Sequence, residues 1–253
     1  MTPKPVTNRD HYSYAVYADP STAETFDARR FGGPIGEIVA ASQARVLLNM
    51  VGEIVGQTVL DVGTGTGRAA LLLAAAGAKV TGVDASEEML AIARQRAAQQ
   101  GIELAFLAGD AHALDFGDRS FDTVVSLRVL MHTPDWRRFV AELCRVASRQ
   151  IVVDYPSLSS AAAVESSIRR VTHALGSRTE PYRVFTTGEV SREFLFHGFA
   201  LRAQHRQFVL PIAFHKSIGS ARFTQSIEHV FERAGLLRLV GSPVTILLER
   251  CAS

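Results

Sequence analysis

Asp61-Val62-Gly63-Thr64-Gly65-Thr66-Gly67 follows the apolar run Thr58-Val59-Leu60 and leads into the Ala/Leu-rich run Arg68–Ala76. A short β-branched run, a glycine-dense loop and a run of helix formers predict a buried strand over 58–62, a tight turn, and a helix over 68–76. Glycine at alternate positions lets the backbone turn sharply and lets a ligand approach without a Cβ in the way. The third glycine falls one place too early for the G-x-G-x-x-G spacing, which disfavours an NAD-dependent oxidoreductase. Asp61, two residues ahead of Gly63, would repel a pyrophosphate and suits a ligand whose cationic ammonium group lies over Gly63, Thr64 and Gly65.

On the C-terminal side the pattern repeats. Strands are predicted over 79–84, 103–108, 121–127 and 150–154, with helices over 86–100 and 135–147 between them. Ser86 suits an N-cap with Glu87 and Glu88 in the positive first turn. Trp136, Phe139, Val140, Leu143 and Val146 share one face of the second helix. Strands that are apolar throughout, alternating with helices, predict a parallel sheet covered on both faces. Beyond residue 156 the alternation stops. Val164, Ile168, Val171 and Leu175 form one helical stripe over 159–175, ended by Gly176; Thr186-Thr187-Gly188-Glu189 fits a capping box opening a helix to about His197. Strands are expected over 200–210 and 243–250, and one amphipathic helix over 217–234 built on Phe223, Ile227, Phe231 and Ala234. Residues 1–57 read as a helical leader or cap, with Tyr12, Tyr14, Tyr17, Phe26 and Phe31 and a helix over 35–51. Residues 58–253 read as the main domain, with cover segments at about 156–186 and 213–236.

Two further acids end strands. Asp84 stands 17 residues after Gly67, where a carboxylate can accept both hydroxyls of a ribose; as a plain helix cap it would do no more than start a helix. Gly109-Asp110-Ala111 follows strand three, where Asp110 could accept from an exocyclic adenine amine and the next N–H could donate to the ring; a turn residue is the alternative. Asp61, Asp84 and Asp110 at three strand ends would line one crevice.

These features together resemble the core of class I S-adenosylmethionine-dependent methyltransferases over residues 58–154. The segments Val83-Asp84-Ala85-Ser86-Glu87-Glu88-Met89-Leu90 and Phe121-Asp122-Thr123-Val124-Val125-Ser126 resemble the ubiquinone and menaquinone C-methyltransferase branch. The resemblance implies an α/β, Rossmann-like, seven-stranded sheet with an antiparallel last strand. It implies S-adenosylmethionine as cofactor, with Gly63, Thr64 and Gly65 against the methionine portion, Asp84 on the ribose, and Asp110 with Ala111 at the adenine. Ser126 and Leu127 would offer backbone carbonyls to the ammonium group, and Asp61, Ala85, Met89 and Gly109 complete the expected cofactor wall. One departure is plain: where the family has a Lys-Pro-Gly-Gly-like turn before strand five, this chain has Arg145-Val146-Ala147-Ser148-Arg149-Gln150.

The expected reaction moves a methyl group to carbon or oxygen of a small-molecule or lipid-like acceptor. Such an acceptor also loses a proton, which favours a nearby base. His132, just after strand four, is the first candidate, against a packing histidine at a helix end; Tyr155, one residue past strand five, is the second. Arg128 is a candidate for holding an anionic acceptor, against a solvated arginine. Strand four lacks an Asn/Asp-Pro-Pro-aromatic sequence, so no nucleic-acid target is expected. A cofactor-binding subunit without catalysis is the non-enzymatic alternative.

Length and composition agree with one elaborated globular domain: 253 residues, 47% hydrophobic and 21% charged. No apolar run approaches a membrane span, the first ten residues have no secretory apolar core, and the two cysteines, Cys144 and Cys251, fit neither a disulfide framework nor a metal site. A cytoplasmic location is expected. The net charge of +2 is uneven: residues 1–168 hold 15 Lys+Arg against 19 Asp+Glu, and residues 169–253 hold 12 against 6. If the cover closes over the sheet edge, Arg169, Arg178, Arg183, His215 and Arg222 would attract an anionic acceptor, and Phe185, Phe194, Phe214 and Phe223 would supply an apolar wall.

Overall fold

The computed structural model describes residues 27, 30–174 and 182–252. The expected leader residues Tyr12, Tyr14, Tyr17 and Phe26, and the cover residues Leu175, Gly176 and Arg178, lie outside them. The described chain begins with helix α1 (Gly33–Val51) and continues β1 (Thr58–Val62), α2 (Arg68–Ala75), β2 (Lys79–Asp84), α3 (Glu87–Gln100), β3 (Ala105–Ala108) and β4 (Phe121–Ser126). After a 3-10 turn (Leu130–His132) come α4 (Trp136–Val146), β5 (Ala147–Tyr155), α5 (Ala161–Ala174), α6 (Thr187–Phe196) and β6 (Phe199–Phe208). The short helices α7 (Ile212–Ile218), α8 (Ala221–Arg233) and α9 (Leu236–Val240) then precede β7 (Ser242–Arg250).

The seven strands form one sheet in the order β3-β2-β1-β4-β5-β7-β6. β1 to β5 are mutually parallel, and β7 runs antiparallel to both β5 and β6. The expected α/β sheet with a reversed final strand is therefore present. Alternation along each strand sends Leu60, Val62, Val124, Ile151 and Val153 to one core and Val59, Val125 and Val152 to the other. Trp136, Phe139 and Leu143 of α4 and Phe194 of α6 close the first core; Leu47 of α1, Leu73 of α2 and Leu90 of α3 close the second. This is why the strands read as unbroken apolar runs.

Caps fall where the chain has the side chains for them. The hydroxyls of Ser86 and Thr186 accept the N–H groups of Met89 and Glu189, and the Asp135 carboxylate accepts that of Arg138. The Arg145–Gln150 departure has a simple outcome: α4 passes directly into β5 at Ala147, so no loop is needed there. Two expectations about the cover are corrected. The single helix over 217–234 is broken, because Gly219 adopts a left-handed conformation (φ 70) and Ser220 caps a new helix by accepting the Phe223 N–H. The stripe on α5 faces the opposite way from its expected packing: Val164 and Ile168 are 63% and 57% exposed, while Ser166 is buried and donates to the Tyr182 carbonyl.

The cover is held by a buried polar knot. His215 Nε2 lies 2.8 Å from Glu228 Oε1 and its Nδ1 lies 3.1 Å from Thr224 Oγ1. The Glu228 carboxylate also accepts the N–H groups of Val209 and Leu210 at 2.8 and 3.0 Å. One acid thus ties α7, α8 and the turn after β6 together. This is a structural place for His215, away from any acceptor.

Candidate active site

The strand order reverses between β1 and β4, and the crevice beyond their carboxyl ends is the position at which open α/β sheets take ligands. There β1 delivers Asp61, whose buried carboxylate accepts the Thr64 hydroxyl at 2.7 Å. The Gly63 and Thr64 N–H groups donate to the Val83 carbonyl at 2.7 and 3.0 Å, which folds the loop back onto β2. Gly63, Gly65 and Gly67 all have positive φ. At Gly63 a Cβ would lie 2.2 Å from Val129, so that glycine is required by packing; at Gly65 a Cβ would meet nothing within 4 Å and would project into open space. Asp84 holds the opposite side, its Oδ2 accepting the Gly65 N–H at 2.8 Å and its Oδ1 the Ser86 N–H at 2.9 Å. Each oxygen retains a lone pair for an incoming hydroxyl.

Burial is the leading influence on both acids. It pushes the Asp61 carboxyl up to about 6, against the lowering effect of the Thr64 hydrogen bond, with the nearby Asp84 charge adding to the rise. It also raises Asp84, opposed by the N–H groups of Ser86 and Gly65. A cationic group placed between them would be compensated at once.

The cavity between these acids has a volume of about 240 Å³. Of the residues expected from sequence, Asp61, Gly63, Thr64, Gly65, Asp84, Ala85, Met89, Gly109, Ala111, Leu127, Arg128 and His132 all line it. Three do not. The Asp110 carboxylate turns to His112, accepting its backbone N–H at 2.8 Å and lying 2.9 Å from Nδ1, so His112 takes the place on the wall. Ser126 is fully buried and its hydroxyl donates to the Val62 carbonyl at 2.7 Å, pinning β4 to β1 where they diverge. Tyr155 is buried in the first core against Phe185, its hydroxyl donating to Thr187 Oγ1 at 2.9 Å, and reaches neither this cavity nor the one beside it.

Sequence reasoning missed the contribution from the start of the chain. Arg30 and Phe31, with Ala40, Gln43, Ala44 and Leu47 of α1, form the near wall of the cavity. They are fixed there by the Arg68 guanidinium 3.8 Å over the Phe31 ring, and by Asp27, which accepts the Thr66 hydroxyl at 2.9 Å and pairs with Arg96. Periodicity showed the helix but gave no sign of which element its polar face would meet.

A second cavity of about 440 Å³ adjoins the first and shares Arg30, Gln43, Arg128 and His132 with it. Its remaining wall includes residues of α5, the end of β6 and α7, with Val39, Met131, Tyr182 and the start of β7. Of the cover residues expected to surround an acceptor, Arg169 is on this wall; Arg183 and Arg222 are exposed elsewhere, Phe185 and Phe194 are core, and Phe214 and Phe223 are 45% and 38% exposed. Among the described residues no cluster of side chains suits a metal ion, and no helix is long and apolar enough to cross a membrane.

Comparison with known proteins agrees with this geometry. Residues 59–150 match the sequence profile of a methyltransferase domain. Over 103 residues the chain is 42% identical to a demethylmenaquinone methyltransferase of Thermus thermophilus, a stretch that is 39% of this chain and 47% of that protein. Over 128 residues it is 38% identical to a phosphatidylethanolamine N-methyltransferase of Cereibacter sphaeroides, covering 48% of this chain and 63% of the relative. The chain thus spans roughly half the length of these relatives. The fold superposes on magnesium protoporphyrin IX methyltransferase from Synechocystis PCC 6803, solved with bound S-adenosylhomocysteine, at a TM-score of 0.66 and 20% identity, over 94% of this chain and 99% of that one. It also superposes on the 4+2 cyclase SpnF at 0.60 and 19%, over 84% and 81% of the two chains. The sheet alone therefore fixes no reaction, and what the sequence match adds is that residues 59–150 are similar to a methyltransferase domain.

Proposed function

We propose that the chain is an S-adenosylmethionine-dependent methyltransferase whose acceptor is a small, lipid-like molecule methylated on carbon or oxygen. The observation that carries this reading is the junction of two chambers through Arg30, Gln43, Arg128 and His132. The chamber lined by Asp61, Gly65 and Asp84 suits the cofactor, with Asp84 receiving the ribose hydroxyls and Asp61 lying nearest the amino-acid end. When bound, S-adenosylmethionine supplies an electrophilic methyl group. Displacement at that methyl needs donor and acceptor held in line with water excluded, and two adjoining chambers that share four lining residues suit that requirement. His132, at the end of the 3-10 turn and on both walls, is placed to take the proton that a hydroxyl or an activated ring carbon gives up. The two relatives named for a quinone precursor and a phospholipid agree with an acceptor that has an extended apolar part.

The test is to incubate the chain with S-adenosylmethionine and a panel of quinols, phenolic acids and aminophospholipids, reading S-adenosylhomocysteine release and the mass gain of the acceptor. Methylation of one class, reduced at least about tenfold in His132→Ala with cofactor affinity retained, supports the reading. A chain that binds the cofactor and methylates nothing in the panel points to the non-catalytic alternative.

A further inference from the structure

The wall of the second chamber has an unusual division of charge. It carries Arg30, Arg128, Arg169 and Lys216, against one carboxylate among the described residues, Glu165. Glu165 is paired with Arg169 at 2.8 Å and Lys216 Nζ donates to the Arg30 carbonyl at 3.0 Å, so among the described residues the cations of this wall outnumber its carboxylate. Asp154 stands behind it, buried at the end of β5, and accepts the Arg128 backbone N–H. The Tyr182 phenol, the Arg30 guanidinium and His132 line the same chamber as Arg128. Ordinary amphipathic packing would have placed Val164 and Ile168 of α5 inward. Instead α5 turns its charged residues, Glu165 and Arg169, to the chamber and leaves those two aliphatics in solvent.

Arg128 adds a second, independent observation. It is one of two residues other than glycine with positive φ among the described residues, at φ 66. A left-handed arginine costs on the order of 1–2 kcal/mol, and such conformations persist where surrounding structure enforces them. Its Nε is buried and has no hydrogen-bond partner among the described residues. Such a donor gains most from an acceptor arriving from outside. The lining also includes an apolar part, with Met131, Phe208 and Ile212 in it.

We propose that this chamber is a subsite for an amphiphilic anion, its carboxylate or phosphate held by Arg128, Arg169 and Lys216 and its apolar body by Met131, Phe208 and Ile212. The inference rests on the methyltransferase reading in taking that anion to be the methyl acceptor; the anion site itself stands on the chamber alone. Arg128 and Arg169 offer forked donors that suit either anion, and Lys216 offers a point charge.

The test titrates decanoate, decyl phosphate and the neutral decanamide into the chain calorimetrically, both unloaded and saturated with S-adenosylhomocysteine. At least one anion is expected to bind about tenfold or more tightly than decanamide, and which of the two binds better names the headgroup. Arg169→Gln and Lys216→Gln should each shrink that preference at least about threefold, and raised salt should shrink it in the unaltered chain. Equal affinity for the three probes, absence of anion binding, or a preference that survives in both variants overturns the subsite. Saturation with S-adenosylhomocysteine is read separately: if it fails while the unloaded chain still prefers an anion, the subsite stands and the methyltransferase reading falls.

Discussion

Asp84 Oδ2 accepts the backbone N–H of Gly65 at 2.8 Å, so the acid at the end of β2 also clasps the glycine loop at the end of β1. One side chain thus shapes the cavity wall, and on the proposed reading it receives the ribose hydroxyls. Asp84→Ala should weaken S-adenosylhomocysteine binding at least about tenfold, since a hydrogen bond to a charged group contributes about 1.5–3 kcal/mol. Calorimetric titration beside a thermal melt separates lost binding from lost folding. Unchanged affinity in a folded variant would remove Asp84 from the site.

Gly63 and Gly65 share a backbone conformation but face different surroundings, which predicts different failures. In Gly63→Ala the new Cβ would meet the Val129 side chain at 2.2 Å, so the segment after β4 or the glycine loop must shift and the melting temperature should fall by several degrees. In Gly65→Ala the Cβ enters open space at φ 54, so strain of on the order of 1–2 kcal/mol is the whole stability effect while the methyl occupies room needed by the ligand. Melts and titrations on both variants should show Gly63→Ala losing more stability and Gly65→Ala losing binding out of proportion to stability.

Asp61 sets a pH dependence. Its carboxyl titrates at about 6 in the ligand-free chain, because burial disfavours the charged form. A cationic ammonium beside it favours that form, so binding expels a proton below about pH 6. Cofactor affinity should be flat above that value and fall toward tenfold per pH unit below it. For the ligand-free fold the sign is opposite: a raised carboxylate pKa is a penalty present at neutral pH and relieved as pH falls through about 6. Titrations from pH 5 to 8 on the unaltered chain and on Asp61→Asn check this, and a slope that persists in the variant would assign it elsewhere.

Glu228 predicts a stability effect with no binding effect. Glu228→Ala leaves His215 without its carboxylate partner and the Val209 and Leu210 N–H groups without an acceptor. At about 1–3 kcal/mol for an unsatisfied buried donor, the variant should lose roughly 2–4 kcal/mol in denaturant unfolding. S-adenosylhomocysteine affinity should stay within about twofold, since Glu228 is absent from the cofactor wall.

The sheet and most residues of the cavity wall were legible in the sequence because each is written locally. Strands buried on both faces are unbroken apolar runs, and the loop at 63–67 carries its glycines where φ is positive. Which partner a polar side chain takes was not legible. Asp110 has a neighbour two residues on that captures it, and Tyr155 finds Thr187 and Phe185 across the first core. The apolar period of α5 was correctly seen, yet the chamber rather than the core lies beside it, so the face that packs is the charged one. The 217–234 expectation overruns Gly219 and Ser220 because the stripe Phe223, Ile227, Phe231 and Ala234 marks the body of the helix and not its start, which backbone geometry sets at Ala221.

The central claim is that the crevice bounded by Asp61, Gly65 and Asp84 takes S-adenosylmethionine. Calorimetric titration of the chain with S-adenosylmethionine, and separately with NAD, tests it most directly. The account predicts one S-adenosylmethionine per chain, a signal weakened at least about tenfold by Asp84→Ala, and no heat with NAD. Saturable binding of NAD, or no binding of S-adenosylmethionine by a folded chain, would contradict it.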